Sequence, residues 1–135
     1  MIDAEMKEKL VQIAIDIREN AYVPYSHYQV GAALLTRSGK IFTGVNIENA
    51  AYPSTICAER VAVFKAVSEG ELDFEAMAVV TENAGVCCGG CRQVLAEFGL
   101  DTLVIIADDK GQVRCEPTVG DLLPGAFTPD QLPRK

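Results

Sequence analysis

Met6, Leu10, Ile13, Ile17 and Ala21 recur at three- and four-residue intervals, with Lys7, Lys9, Asp16 and Glu19 between them. That period puts the apolar residues on one stripe of a helix and the charges opposite. Asp3 stands where an N-cap is needed, and Pro24 is expected to stop the helix because it lacks a backbone N–H. The period then changes. Gln29 to Thr36 and Ile41 to Ile47 read as two strands, with Ser38-Gly39 as a hairpin turn between them. Cys57 to Val67, rich in Ala, Glu, Arg, Phe and Val, reads as a helix. Ala76 to Thr81 is a short apolar run, a buried strand. Arg92 to Phe98 is helical with Gly99 as its C-cap, and Thr102 to Ala107 is another buried strand. Asp108 to Gly111 form a turn, Gln112 to Glu116 an edge strand, and the tail from Pro117 is broken by Pro124, Pro129 and Pro133.

A hairpin followed by strands alternating with helices predicts an α/β fold, a mixed sheet covered by helices. The pattern does not fix the strand order. With no internal repeat and no linker, residues 1–135 are expected to form one domain.

Composition narrows the class. A chain of 135 residues with 49% hydrophobic residues can bury a core. The formal net charge of -7 repels phosphate backbones, so no nucleic-acid polymer is expected as partner. No apolar run is long enough to cross a bilayer. The opening residues Met1 to Leu10 are charged and amphipathic, unlike a signal peptide. The five cysteines, Cys57, Cys87, Cys88, Cys91 and Cys115, are odd in number and clustered. They do not read as a disulfide framework. A cytoplasmic location follows, where clustered cysteines bind metal or do chemistry.

Two segments carry that chemistry: Cys57-Ala58-Glu59-Arg60 and Cys88-Gly89-Gly90-Cys91. A C-x-x-C at a helix start puts two thiolates within reach of one metal, but it fits a redox dithiol equally well. Cys57 opens a different helix. Three cysteines on two helix N-termini would give zinc three sulfur ligands and leave a fourth position open, the pattern of a catalytic site. His27 is far upstream and reads as a surface or core histidine. Zinc with three thiolates is net negative, which weakens its pull on water. Two helix N-termini and the Arg60 guanidinium can offset that charge. On spacing alone, Arg60 reads as a solvated helix residue rather than a sulfur partner. Glu59 is the candidate general acid/base, although a first-turn Glu also interacts favourably with the helix dipole on its own.

The chain resembles the cytidine deaminases from Tyr22 to about Phe127. The resemblance rests on Val23-Pro24-Tyr25-Ser26, Val30-Gly31-Ala32-Ala33-Leu34, Gly44 to Ala50, Cys57 to Arg60, Cys91-Arg92-Gln93-Val94-Leu95 and Leu122 to Phe127. It implies a three-layer α/β/α arrangement with a central mixed sheet of about five strands. It implies hydrolytic deamination of cytidine and 2'-deoxycytidine, with one zinc per subunit. Zinc deaminases in general use a metal-activated water against C4 of cytosine and a non-ligand Glu to move protons. By resemblance, Cys57, Cys88 and Cys91 are the metal ligands, Glu59 is the proton shuttle, and Arg60 tempers the thiolate charge. Backbone groups near Ala58 would contact the pyrimidine, Asn46 and Glu48 the ribose, and Tyr28 would pack beside the base. Phe127 would come from a neighbouring subunit, which implies a homotetramer with shared sites. Residues two apart on a strand share a face, which suits Asn46 and Glu48 acting on one sugar, or simply standing on an exposed strand end.

One position departs from the family. Where it usually has proline before the paired cysteines, this chain has Cys87. The i, i+3 spacing favours Cys88 with Cys91 as ligands over Cys87. Cys115 reads as a small buried apolar residue. A thiol redox protein would explain Cys88 and Cys91 but leave Cys57, Glu59, Asn46 and Glu48 without a role. A structural zinc module would close the fourth ligand position. Within the deaminases, a modified cytosine nucleoside is the nearest alternative substrate. Nucleotides are disfavoured because no basic cluster or Gly-rich phosphate cradle is visible.

Overall fold

A computed structural model describes residues 2–133. Met1, Arg134 and Lys135, the ends of the expected 1–135 domain, lie outside them. Helix α1 spans Ala4–Arg18, and Asp3 caps it, its Oδ1 accepting from the Met6 N–H at 2.9 Å. The helix ends three residues before Ala21, the last member of its apolar period, and well before Pro24. The reason is tertiary. Tyr22 leaves the helix to bridge to the 46–48 segment, donating to the Asn46 carbonyl and accepting from the Glu48 N–H.

Strands β1 (Gly31–Thr36) and β2 (Ile41–Val45) form the hairpin, with Gly39 in the left-handed region at φ 93°. Helix α2 (Ala58–Ser68) follows, then β3 (Phe74–Thr81), α3 (Gly89–Ala96), β4 (Leu103–Asp108) and β5 (Val113–Cys115). The expected helix over Arg92 to Phe98 therefore starts earlier, across Gly89 and Gly90, because Cys88 caps it. A short α4 (Val119–Leu122) interrupts the proline-broken tail. It is set by a capping box, in which Thr118 and Asp121 satisfy each other's backbone N–H groups.

The sheet order is β2-β1-β3-β4-β5. Strand β1 runs antiparallel to β2 and β3, β3 parallel to β4, and β4 antiparallel to β5. The sheet is mixed and five-stranded, as expected, with α1 on one face and α2 and α3 on the other. Alternate residues of the same strands feed the two cores. Ala33, Leu35, Ala78, Val80 and Ile105 pack with Leu10, Val11 and Ala14 of α1. Ala32, Leu34, Met77, Val79, Val104 and Ile106 pack with α2 and α3. Each fully buried Leu, Ile or Val among them contributes about 1.5–3 kcal/mol by leaving water.

Two glycines set how closely the helices approach. A Cβ at Gly31 would collide with the Ala14 carbonyl of α1, and one at Gly44 with the Ala58 carbonyl of α2. The second approach brings the first turn of α2, with Cys57 and Glu59, down onto the sheet.

Candidate active site and metal centre

Helices α2 and α3 bring their N-termini together beyond the end of β3. Cys57 is the N-cap of α2 and Cys88 the N-cap of α3. Both have extended backbone, so their side chains lie in front of the helices, where the positive dipole ends point. The Cys88 sulfur accepts from the Cys91 N–H. The sulfurs of Cys57, Cys88 and Cys91 all lie within 4.8 Å of one another, the one such group among the described residues. Cys57 Sγ is 3.7 Å from Cys88 Sγ, and Cys88 Sγ is 3.4 Å from Cys91 Sγ. Three soft sulfur donors at these separations suit zinc. Neither His27, exposed at φ 59°, nor Cys87 belongs to the group.

Arg60 completes the arrangement. Its Nη2 donates to the sulfurs of Cys57 and Cys88, each at 3.7 Å. The second glycine of Cys88-Gly89-Gly90-Cys91 makes room for it, since a Cβ at Gly90 would stand 2.8 Å from Arg60 Nη2. The guanidinium is held even more firmly in its charged form, first by Cys91 and Cys88. Cys57 is lowered to about 6, above all by the hydrogen bond from Cys91, with Cys88 and Arg60 helping against burial and the Glu59 charge. Cys91 is pushed up because it keeps the proton shared with Cys57 and is buried. Three sulfurs gathered beneath a guanidinium are a set poised to give up protons to a metal.

Glu59, one residue into α2, is only 5% exposed and lies in the wall of a cavity of about 200 Å³. Cys57, Ala58, Cys88, Tyr28 and Asn46 line the same cavity. The cavity sits past the carboxyl end of β3, where open α/β sheets usually place ligands. A larger, shallow groove of about 470 Å³ between α1 and β5 brings together Lys7, Glu8 and Glu116 but none of these groups.

The family model described as "Cytidine and deoxycytidylate deaminase zinc-binding region" matches residues 4–107. The chain belongs to this family. It is 51% identical over 129 residues to the cytidine deaminase of Halalkalibacterium halodurans, covering 93% of this chain and 97% of that one. It is 52% identical over 128 residues to the cytidine deaminase of Sporosarcina psychrophila, covering 93% of each. Among solved structures, cytidine deaminase from Burkholderia pseudomallei superposes with a TM-score of 0.85 at 44% identity, over 93% of this chain and all of that one. The protein is thus a zinc-dependent deaminase, and its sulfur cluster is a donor set of the kind that metal needs.

The remaining expected residues fall into three places in this deaminase. Ala58 and Tyr28 line the cavity. Asn46 and Glu48 lie beyond the end of β2 rather than on it, in a segment tied by isolated bridges, so strand alternation is not what aligns them. Both instead face the 25–30 segment. Asn46 accepts from the Val30 N–H at 2.9 Å and donates to the Tyr28 carbonyl at 2.8 Å. Glu48 accepts from the N–H groups of Tyr25 and Ser26 and from the Ser26 hydroxyl. That hydroxyl, first, and the two N–H groups lower its pKa. Asn46 lines the cavity, whereas Glu48 lines an adjoining hollow with Tyr25 and Tyr52. Thr55 is common to the two. Phe127 is 52% exposed and lines neither.

Cys87 is 3% exposed and packs into the core beneath the site. Burial first, then the Glu59 carboxylate beside it, pushes its thiol up, so it stays protonated. The Arg92 guanidinium fixes its backbone, donating from Nε to the Cys87 carbonyl at 3.0 Å. Cys115 is half-buried against the same core.

The sequence pattern gave no sign of Thr55, Ile56, Val79, Thr81, Gly85 and Val86, which also line the cavity. Of these, only the mid-loop glycine at 85 is a residue type whose position could have prompted the question. A Cβ there would meet the Tyr28 hydroxyl at 2.5 Å.

Proposed function

We propose that this enzyme hydrolyses the 4-amino group of cytidine and 2'-deoxycytidine, giving uridine or 2'-deoxyuridine and ammonia. The observation that carries the reading is the juxtaposition of three cysteine sulfurs at two helix N-termini with a buried glutamate, Cys57, Cys88 and Glu59 lining one small cavity. Cys57, Cys88 and Cys91 would hold one zinc per subunit as thiolates. Zinc bound there supplies Lewis acidity that brings water ionisation toward neutral pH. Arg60 and the two helix ends temper the charge of the thiolates.

Glu59 moves the protons. It accepts one from the attacking water, delivers it to N3 of the cytosine ring, and later helps the amine leave as ammonia. Its burial keeps bulk water from competing for that carboxylate. The Ala58 backbone contacts the pyrimidine, and the Tyr28 ring packs beside it. Asn46 and Glu48 engage the ribose. Each has hydrogen-bonding capacity left: the Asn46 amide uses one donor and one acceptor site internally, and Glu48 three of about four lone-pair sites. Phe127, too exposed to be a local core plug, closes a neighbouring subunit's site in a homotetramer.

The whole chain, 1–135, acts as one domain in the cytoplasm, where thiols stay reduced. All five cysteines are unpaired, and no helix among the described residues is long and apolar enough to cross a membrane.

The test is an absorbance assay with cytidine, 2'-deoxycytidine and cytidine monophosphate beside a zinc determination. Turnover of the two nucleosides, and not of the nucleotide, is expected with one zinc per chain. A zinc-loaded preparation that turns over neither nucleoside overturns the substrate assignment.

A further inference from the structure

The Tyr28 hydroxyl is not needed by an aromatic ring that merely stacks, yet the structure gives it a specific partner. It donates to Asn83 Oδ1 at 2.6 Å. The same Asn83 oxygen accepts from the Thr81 hydroxyl at 3.3 Å, and Thr81 Oγ1 accepts from the Gly85 N–H at 2.6 Å. Ala84, between them, is buried and held at φ 57°. A non-glycine residue rarely adopts that conformation unless its surroundings impose it. Arg114 of β5 donates to the Ala84 carbonyl at 3.2 Å. Gly85 leaves the space the hydroxyl occupies.

The other end of Tyr28 is anchored to the opposite side of the cavity. Its carbonyl accepts from Asn46, and its N–H donates to the Ser26 hydroxyl, which in turn donates to Glu48. Tyr28 therefore joins two segments that line the cavity. One wall carries Asn46 and the other carries Gly85 and Val86.

We infer that the Tyr28 hydroxyl and Asn83 form a latch that ties these two walls together and preorganises the cavity for its nucleoside. In this role Tyr28 is a positioning residue, distinct from any stacking by its ring. The 81–88 loop has two independently anchored halves. Thr81, Asn83 and Arg114 hold the front, while Arg92 and the start of α3 hold Cys87 and Cys88. Loss of the latch thus loosens the front half and leaves the cysteine cluster in place. The cost falls on binding, because a wall that must be ordered by the ligand weakens its apparent affinity.

The consequence for turnover rests on the proposed function, so the test has a readout that does not. Tyr28→Phe is expected to raise KM for cytidine about two- to tenfold, the span of one net hydrogen bond, with a smaller change in kcat. Asn83→Ala should do the same, and the double variant should be no worse than the more affected single, as expected for two partners in one interaction. Zinc content should match the wild type in all three. Independently of turnover, the Gly85 amide should exchange its hydrogen faster in Tyr28→Phe than in the wild type. Kinetics and Gly85 exchange both unchanged in Tyr28→Phe, or single effects that multiply in the double variant, overturn the latch. If the wild type does not deaminate cytidine, the proposed function fails and the Gly85 exchange alone decides the latch.

Discussion

The two faces of the sheet use alternate residues of the same strands for opposite purposes. Under α1 the core is aliphatic: Leu10, Val11 and Ala14 meet Ala33, Leu35, Val80 and Ile105. Under α2 and α3 the core also encloses Glu59, Cys87 and Cys91, and an Arg60 Nε buried without a partner. Buried polar groups cost stability unless paired. One face is built to be stable, and the other spends part of that stability on groups held away from water. A single sheet supports both because successive side chains on a strand point in opposite directions.

The contrast can be broken most severely at the cluster. Cys91→Ala, or chelation of the native protein, should abolish deamination and lower the melting temperature, because metal affinity contributes to folding. Elemental analysis should then find no zinc. Cys87→Ala should keep its zinc, and loss of the metal in that variant would move Cys87 into the ligand set. Glu59→Gln separates chemistry from stability on the polar face. Its kcat should fall by about 10²–10⁴, the span of general acid–base catalysis, while zinc content and melting temperature hold. Leu10→Ala is its counterpart on the aliphatic face. It should lose about 2–5 kcal/mol in denaturant unfolding, with kcat per folded molecule unchanged.

The paired glycines sharpen the same comparison. Alanine at Gly31 or Gly44 forces a helix away from the sheet, and overpacking of this kind costs about 1–3 kcal/mol. Gly31→Ala should show that loss in unfolding with little change in turnover. Gly44→Ala shifts the turn bearing Cys57 and Glu59, so kcat should fall as well. If both variants lose activity equally, the faces are not independent. The smallest effect is expected at the end of α1, where Asp3→Ala should cost about 1 kcal/mol, the worth of an N-cap, and leave kinetics untouched.

Much was legible in the chain itself. Apolar periods marked α1, the hairpin and the buried strands, because burial on one face or both leaves a direct imprint on residue order. The cysteine spacing pointed to a metal, and joint motifs pointed to the family, with Cys87 as its visible exception. Other features depend on partners distant in sequence. Residue order did not say where α1 ends, because the competing partner of Tyr22 is the 46–48 segment. Nor did it say that Asn46 and Glu48 first brace the 25–30 segment. Gly90 gave no hint that it clears space for Arg60, nor Asn83 that it meets Tyr28 across 55 residues. A local pattern records what a residue needs, buried or exposed, bent or extended. Which groups then meet is decided by the sheet order and by how closely two helices settle on it, and those are properties of the folded chain alone.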